Sequence, residues 1–353
     1  MKKDLSITLY RVIATVFILI CHIGTHYSIG IVAEGFKVGV QMFLLMSGYL
    51  AAKNSSKKRN ISYYGKRIIR ILMPIWCFII PYLIISCILQ MYNPLDFMPY
   101  LFGAFGLERI TELDLFNSVD GLTHLWYITA ALICELVAPL MLYIKNKFTN
   151  KTSAYYVISI SSIIVLHIFS GIISIKLDYI LVFVVGVILF DLLDKQYGFK
   201  EIVFYNAFLV MFVVLRVIAQ MRIDDTMGYN DIINPLVYLV ISYVLFIDLR
   251  YFVSLLGENF KTRLQKSKVI CFVEKYSFEI YICHYIFIVG PLNVYMIQMH
   301  EILKNAMFLV CSMVTAIAVH LTATAINMII AKKDSSKSDR AHNSKGDFIN
   351  TNE

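Results

Sequence analysis

Long apolar runs, each about the length of a membrane-spanning helix, dominate the chain, and polar, mostly basic segments separate them. A helix needs about 20 apolar residues to cross the hydrocarbon core of a bilayer. The pattern therefore predicts an all-α, polytopic transmembrane helical bundle of about ten spans. The predicted spans cover residues 6–28, 36–53, 70–91, 123–144, 154–174, 177–193, 202–220, 232–249, 277–297 and 303–331.

Composition supports a membrane protein and distinguishes a long apolar domain from a short polar C-terminal segment. Of its 353 residues, 59% are apolar and 16% are charged. The first apolar run is long and contains Arg11 with no small-residue cleavage pattern, so we interpret it as a retained span rather than a signal peptide. The sequence predicts one transmembrane domain over residues 1–331. The polar segment 332–353 lacks apolar periodicity and is predicted to be a disordered cytoplasmic tail.

The distribution of positive charge predicts the orientation. The chain carries 32 Lys and Arg residues and a net charge of +8. Twenty-five of these residues lie in segments on the side of the N-terminus, and five lie on the opposite side. Because positively charged loops stay in the cytoplasm, both termini are predicted to be cytoplasmic. The basic excess is thus explained by topology, and we do not predict nucleic-acid binding.

The first span contains two ionisable residues, Arg11 and His22, at a spacing of eleven residues. On an α-helix this spacing is about 20° beyond three full turns and rises about 16 Å, so both side chains share one face. Intramembrane ionisable groups usually face a polar interior. The alternative is that Arg11 reaches the lipid headgroups while His22 lies in an ordinary helix–helix contact. The shared face favours a polar interior.

Further polar residues occur near the ends of other spans. Lys66, Arg67 and Arg70 form a basic cluster that either anchors the helix at the cytoplasmic surface or holds phosphates. Ser47 and Gly48 fit helix–helix packing. The fourth span begins with His124, Trp126 and Tyr127, and it carries Glu135 deeper in the bilayer, where a carboxylate needs a polar partner. The ninth begins near Ser277, Tyr281 and His284.

No metal site is predicted from these residues. The seven cysteines lie almost entirely within apolar runs and form no CxxC pair, so they are interpreted as small buried hydrophobic residues. His22 and His26 lie four residues apart, but no third ligand is evident.

Six segments, taken in order, resemble the acyltransferase-3 family of integral-membrane acyltransferases. They are Arg11 with ten residues before His22, Phe43-Leu44-Leu45-Met46-Ser47-Gly48-Tyr49, Tyr64-Gly65-Lys66-Arg67-Ile68-Ile69-Arg70-Ile71-Leu72-Met73-Pro74, His124-Leu125-Trp126-Tyr127, Phe183-Val184-Val185-Gly186 and Ser277-Phe278-Glu279-Ile280-Tyr281-Ile282-Cys283-His284. The resemblance covers residues 5 to 330. Leu44 stands where a second Phe is usual, and Gln41 where some members carry Asp.

The resemblance implies an O-acyltransferase in the bacterial cytoplasmic (inner) membrane. It would move an acetyl or other short acyl group from cytoplasmic acyl-CoA, with acetyl-CoA as a co-substrate and no tightly bound cofactor. The acceptor would be a hydroxyl of a cell-surface polysaccharide or of a lipid-linked saccharide at the outer face. Membrane lipids would be the other partner.

The resemblance also assigns expected roles to residues. Arg11, Lys66, Arg67 and Arg70 would bind the CoA nucleotide, and His22 would act with Arg11 in catalysis. His22 suits a general base and equally suits a covalent acyl-histidine relay. Supporting or acceptor-side roles would fall to Ser47, Gly48, His124, Trp126, Tyr127, Glu135, Ser277, Tyr281 and His284.

Two functions of other classes compete with this interpretation. One is a transporter of a small organic anion, in which Arg11, Arg216 and Glu135 would line the path. Transporters often contain inverted repeats and paired broken helices, and neither is clear in the sequence. Substrate flux in proteoliposomes without acetyl-CoA would favour a transporter. The other is a non-catalytic membrane partner in a glycan-export complex.

Overall fold

The computed structural model describes residues 4–55, 61–89, 121–147, 153–172, 178–222 and 229–347, and within these ranges the chain is helical without strands. Short 3-10 helices cover Thr123–Leu125, His284–Phe287 and Val294–Met296. The α-helices in chain order are α1 (Leu5–His26), α2 (Gly30–Phe36), α3 (Val38–Lys53), α4 (Ile61–Ile88), α5 (Trp126–Lys147), α6 (Ser153–Ile172), α7 (Asp178–Ile188), α8 (Phe190–Asp194), α9 (Phe199–Arg222), α10 (Tyr229–Leu255), α11 (Glu258–Lys266), α12 (Lys268–Cys283) and α13 (Glu301–Asp347).

The predicted all-α class is confirmed for the described residues. Seven described helical segments are long and apolar enough to cross a membrane, and two shorter apolar helices, Tyr155–Val165 and Tyr179–Ile188, accompany them. The count of ten spans and the cytoplasmic location of both termini stay predictions. The seven long segments are Leu5–His26, Ala33–Lys53, Tyr63–Ile88, Thr123–Lys147, Phe199–Ile218, Ile233–Leu255 and Glu301–Ile330.

The ninth predicted span, residues 277–297, is not one continuous helix. Its first part is the end of α12, which stops at Cys283, and the 3-10 helix His284–Phe287 follows. The His284 side chain contacts backbone carbonyl oxygens of the preceding turn. Pro291 then lacks the N–H group that a helix interior requires. The predicted span is therefore the end of a helix followed by short buried turns.

The last helix continues into the polar C-terminal segment, and α13 ends at Asp347. No proline interrupts residues 332–347, so helix propensity allows the continuation. The disordered cytoplasmic tail over residues 332–353 stays a prediction. Residues 348–353 lie outside the described part of the chain.

Helix α1 packs against α2, α3, α10 and α12 and lies at the centre of the bundle. Tyr10 illustrates why α1 is held firmly there. Its side chain is almost fully buried, its hydroxyl donates to the Ser242 carbonyl oxygen at 2.7 Å, and its ring meets Phe246 edge-on at 5.0 Å. A buried phenol needs such an acceptor, because an unpaired hydroxyl in an apolar interior is costly.

The start of α1 is tied to the end of α3 by the side chain of Asp4. This N-cap carboxylate accepts hydrogen bonds from the Ser6 backbone N–H at 3.2 Å and from Lys53 Nζ at 3.1 Å. Burial raises the pKa of Asp4, but the hydrogen bonds from Ser6 and Lys53 outweigh that effect and hold the pKa below its usual value. The ionised carboxylate therefore links the two helices at this end of the bundle.

Helices α3 and α7 cross at two glycines, Gly48 and Gly186. A Cβ atom on Gly48 would overlap the Phe183 carbonyl oxygen, and one on Gly186 would overlap the Leu45 carbonyl oxygen. The backbones therefore approach closely, as small residues permit between membrane helices. This contact explains Gly48 as a packing residue, and it fixes the position of the neighbouring Ser47.

We expect Gly48→Ala or Gly186→Ala to lower the free energy of unfolding by about 1–3 kcal/mol, because each added methyl group forces α3 and α7 apart. Gly65→Ala in α4 is the matched control, since a Cβ there meets nothing within 4 Å. Thermal unfolding in detergent micelles measures the effect. Equal melting temperatures for Gly48→Ala and Gly65→Ala would contradict the close crossing.

Candidate active site

Arg11 and His22 both face α12 and the turn that continues it. Arg11 Nη1 lies 4.0 Å from Glu274 Oε1, and the Thr8 hydroxyl donates to the same oxygen at 3.1 Å. Eleven residues further along α1, the His22 ring centroid lies 5.0 Å from that of His284. Because α1 is unbroken between them, the helical rise of about 16 Å separates the two positions. One seam therefore connects the two basic residues.

A cavity of about 910 Å³ opens beside the Arg11 end of this seam. It lies between α1, α3, α4, α5, α12 and α13, and its volume is near the upper end of the usual range for small-molecule sites. Its lining includes these predicted site residues: Arg11, Ser47, Lys66, Arg67, Arg70, Tyr127, Glu135, Ser277 and Tyr281.

The polar partner that Glu135 requires within the bilayer is Arg67. Arg67 Nε lies 2.6 Å from Glu135 Oε1, and Arg67 Nη1 also donates to the Tyr63 hydroxyl at 3.2 Å. The Glu135 side chain is only 8% exposed, so its charge depends on this pairing. The ion pair joins α4 to α5 across the cavity.

Lys66 and Arg70 differ from Arg67 in their surroundings. Both side chains line the cavity and are exposed, and neither forms an ion pair with another residue in the described ranges. Their positive charge is therefore available to an anion that enters the cavity. Phosphate groups are the anions that such exposed Lys and Arg side chains commonly bind.

The cavity also contains a hydrogen-bonded His–Glu pair that was not identified from the sequence. His320 on α13 lies against Glu279 on α12, with 2.8 Å between Nδ1 and Oε1, and Tyr276 packs edge-on against the imidazole. Glu279 is buried. The sequence did contain a signal for this pair, because His320 is an ionisable residue within the apolar run 303–331.

Three histidine rings form a cluster beyond the inner end of the cavity. Centroid separations are 5.0 Å for His22 and His284, 5.1 Å for His124 and His284, and 6.5 Å for His22 and His124. His284 is fully buried, His124 is 4% exposed, and His22 is half-buried. Sequence reasoning selected all three residues, and the structure brings them together from three separate segments.

A turn at Gly121 places His124 in this cluster. Gly121 has a φ of +86°, and a Cβ there would lie 2.8 Å from the Val289 carbonyl oxygen. The positive φ and the close approach both require glycine. The following 3-10 helix, Thr123–Leu125, then packs against the segment after α12, where His284 lies.

Tyr281 connects the cavity to the histidine cluster. Its ring lines the cavity, and its hydroxyl donates a hydrogen bond to the backbone carbonyl of His124. The ring centroids of Tyr281 and His124 are 5.4 Å apart, and Tyr127 packs edge-on against Tyr281 at 5.1 Å. Because both tyrosines line the cavity, they link it to the three histidines.

Other predicted residues lie outside this arrangement. Gly48 contacts α7, as described above, and Trp126 packs on Tyr179 with 4.2 Å between ring centroids. Arg216, considered for an ion path, lies over the Tyr238 ring at 5.8 Å and does not line the cavity that contains Arg11 and Glu135. The three residues of the transporter hypothesis are therefore not brought together. Within the described ranges, no group of three or more His, Cys, Asp or Glu side chains is placed to hold a metal ion.

Comparison with known proteins gives one match over most of the chain. The family model described as an acyltransferase domain matches residues 4–324. That range includes the cavity and the three histidines. No curated protein and no solved structure matches the chain.

We expect Arg67→Met to lower the free energy of unfolding by about 1–3 kcal/mol, because it leaves the buried Glu135 without its cationic partner. Glu135→Leu should cost less, since the half-buried Arg67 can turn toward water. The double variant should recover most of the loss, because two apolar side chains need no partner. Thermal unfolding of the four proteins is the measurement. Additive losses in the double variant would show that the pair does not stabilise the bundle.

Proposed function

The chain belongs to the acyltransferase-3 family, and from this premise we propose that it moves an acetyl or other short acyl group from acyl-CoA to a hydroxyl of a surface polysaccharide or lipid-linked saccharide. The protein is a multi-pass membrane acyltransferase. The donor, the acceptor, the residue roles and the location in the bacterial inner membrane are the proposed parts.

The proposal is supported by one arrangement of side chains, which connects the cavity to the histidine cluster. A cavity with the exposed cations Lys66 and Arg70 extends inward to Tyr281, and Tyr281 contacts the cluster that contains His22. A polyanionic donor and a reactive histidine would thus lie at opposite ends of one path. Acyl-CoA has the matching form, with a phosphate-rich nucleotide at one end and a thioester at the other.

The nucleotide of acyl-CoA would occupy the cationic end of the cavity. Lys66 and Arg70 would bind its phosphates, and Arg11 would add positive charge from α1. The pantetheine arm would extend along the seam between α1 and α12, over the rise of about 16 Å that separates Arg11 from His22. The thioester would pass Tyr127 and Tyr281, so these two side chains would move aside when the donor enters.

The acceptor would approach His22 from the far end of α1. The last turn of this helix is exposed at Thr25, and Ser28 beyond it is also exposed. In the predicted topology this end faces the outside of the cell. Donor and acceptor would then reach the histidine cluster from opposite sides of the membrane, and neither would have to cross it.

The reaction would proceed by general-base catalysis. The acceptor oxygen would attack the acyl carbon, a ring nitrogen of His22 would take the hydroxyl proton, and the C–S bond would break. The departing CoA sulfur would take the proton back from His22, so the products are the ester and CoA with a free thiol. An acyl-histidine route would instead leave an acyl group on the protein when donor is present without acceptor.

We expect His22→Ala to reduce acyl transfer by about 10²–10⁴-fold, because the reaction loses its base. Transfer of radiolabelled acetyl from acetyl-CoA, together with NMR of the surface glycan, measures this loss. His26→Ala, one turn along α1, is the matched control and should retain activity. The amount of protein in the membrane should equal that of the wild type. Normal acetate on the glycan of the His22→Ala strain would exclude the assigned role.

We expect Lys66→Gln and Arg70→Gln each to raise the KM for acetyl-CoA by about tenfold, since one charge-assisted contact with phosphate contributes roughly 1.5–3 kcal/mol. The kcat should change little. Arg263→Gln is the control, because Arg263 is an exposed arginine on α11 that does not line the cavity. The KM for dephospho-CoA thioesters should respond less to whichever residue binds the 3′-phosphate. An unchanged KM in both variants would place the nucleotide elsewhere.

A further inference from the structure

The hydrogen bonds of His284 fix which ring nitrogen carries its proton. Nδ1 lies 2.8 Å from the Tyr281 carbonyl oxygen and 3.1 Å from the Ile280 carbonyl oxygen. A carbonyl oxygen only accepts, so Nδ1 must be the N–H donor. In the neutral ring, Nε2 then carries a lone pair.

That lone pair is buried and has no partner among the described residues. His284 is fully buried, and its Nε2 makes no hydrogen bond to any group in the described part of the chain. A buried acceptor without a donor is costly, so an unpaired one in a reactive cluster is expected to serve a ligand or a neighbouring side chain. The His22 ring lies 5.0 Å away, centroid to centroid, and the structure shows no hydrogen bond between the two rings. At that separation, a rotation of the His22 ring that turns a nitrogen toward His284 brings the two nitrogens to hydrogen-bonding distance.

We propose that His284 is a positioning residue for His22, and this inference rests on the proposed function. When the His22 ring turns toward it, Nε2 of His284 accepts the N–H of His22 and thereby selects one tautomer of that ring. The other nitrogen of His22 keeps its lone pair and faces the acceptor hydroxyl. His284 has the orienting role that a carboxylate has in Ser-His-Asp triads, but it is a neutral ring anchored by two backbone carbonyls.

The proton balance requires no further reactant. In the reaction, the hydroxyl proton moves to the free nitrogen of His22, and the same proton later reaches the CoA sulfur. The N–H that His22 donates to His284 stays on His22 throughout. An acyl-histidine route has the same requirement, because the attacking nitrogen also needs a lone pair.

His124 provides an internal comparison. Its Nε2 lies 3.0 Å from the Ile282 carbonyl oxygen and is therefore the donor, which leaves the buried Nδ1 as an acceptor that no described residue pairs. Its ring centroid is 6.5 Å from that of His22, against 5.0 Å for His284. Of these two histidines, His284 is the closer to His22, and we therefore assign His284 as its partner.

The kinetic test compares two substitutions at one position in the full-length protein. His284→Gln keeps an acceptor oxygen near the place of Nε2, whereas His284→Phe removes it. The substrates are acetyl-CoA and surface glycan from a strain that lacks the protein, treated with mild alkali to remove O-acetyl groups. His284→Phe should lower kcat by about 10²-fold or more with the KM for acetyl-CoA unchanged, and His284→Gln should regain at least about tenfold. His26→Phe is the control.

A second measurement does not depend on catalysis. Nitrogen-15 NMR of histidine-labelled protein in nanodiscs should show His284 as the Nδ1–H tautomer and His22 as a single tautomer. In His284→Phe, His22 should become a mixture of tautomers, and in His26→Phe it should not. Equal kcat in the Phe and Gln variants, or a His22 tautomer unaffected by His284→Phe, would overturn the proposal. A wild type that transfers no acyl group would refute the proposed function, while the NMR result would still decide the pairing.

Discussion

Charged side chains within an apolar bundle must find partners, and this requirement organises the cavity of this protein. Three such pairs lie on its walls, and each joins two helices. The carboxylates belong to α5 and α12, and their partner side chains belong to α1, α4 and α13. The pairs are Arg67–Glu135, Arg11–Glu274 and His320–Glu279. Because the cost of an unpaired ion in low dielectric is several kcal/mol, these contacts keep five helices around a polar space.

The two ends of α1 serve different chemical purposes because their neighbours differ. Near Arg11 the neighbours are carboxylates and exposed cations, which suit a highly charged molecule. Near His22 they are neutral rings and backbone carbonyls, which suit the transfer of one proton. Tyr281 belongs to both environments, since it lines the cavity and bonds to His124. In the proposed reaction, this separation would allow tight binding of a polyanion without placing its charge next to the reacting atoms.

Helical arithmetic on the sequence predicted the shared face of Arg11 and His22, and burial cost predicted that Glu135 needs a polar partner. The identity of that partner was beyond the sequence, because Arg67 lies 68 positions away and only tertiary packing brings it near. The pairing of Glu279 with His320 was missed for the same reason. The break after Cys283 within the predicted span 277–297 was not predicted, because apolar content does not distinguish a continuous helix from buried turns, although Pro291 was a warning.

The crossing of α3 and α7 at Gly48 and Gly186 determines which part of the cavity wall can yield. The two backbones are in direct contact, so no side chain can rotate and no gap can close between them. The wall formed by α3 is therefore rigid. The opposite wall consists of α4 and the cytoplasmic half of α13 in the predicted topology, where Lys66, Arg70 and Met328 are exposed. Entry of a large molecule would therefore widen the cavity by moving these two helices outward, while α3 stays in place.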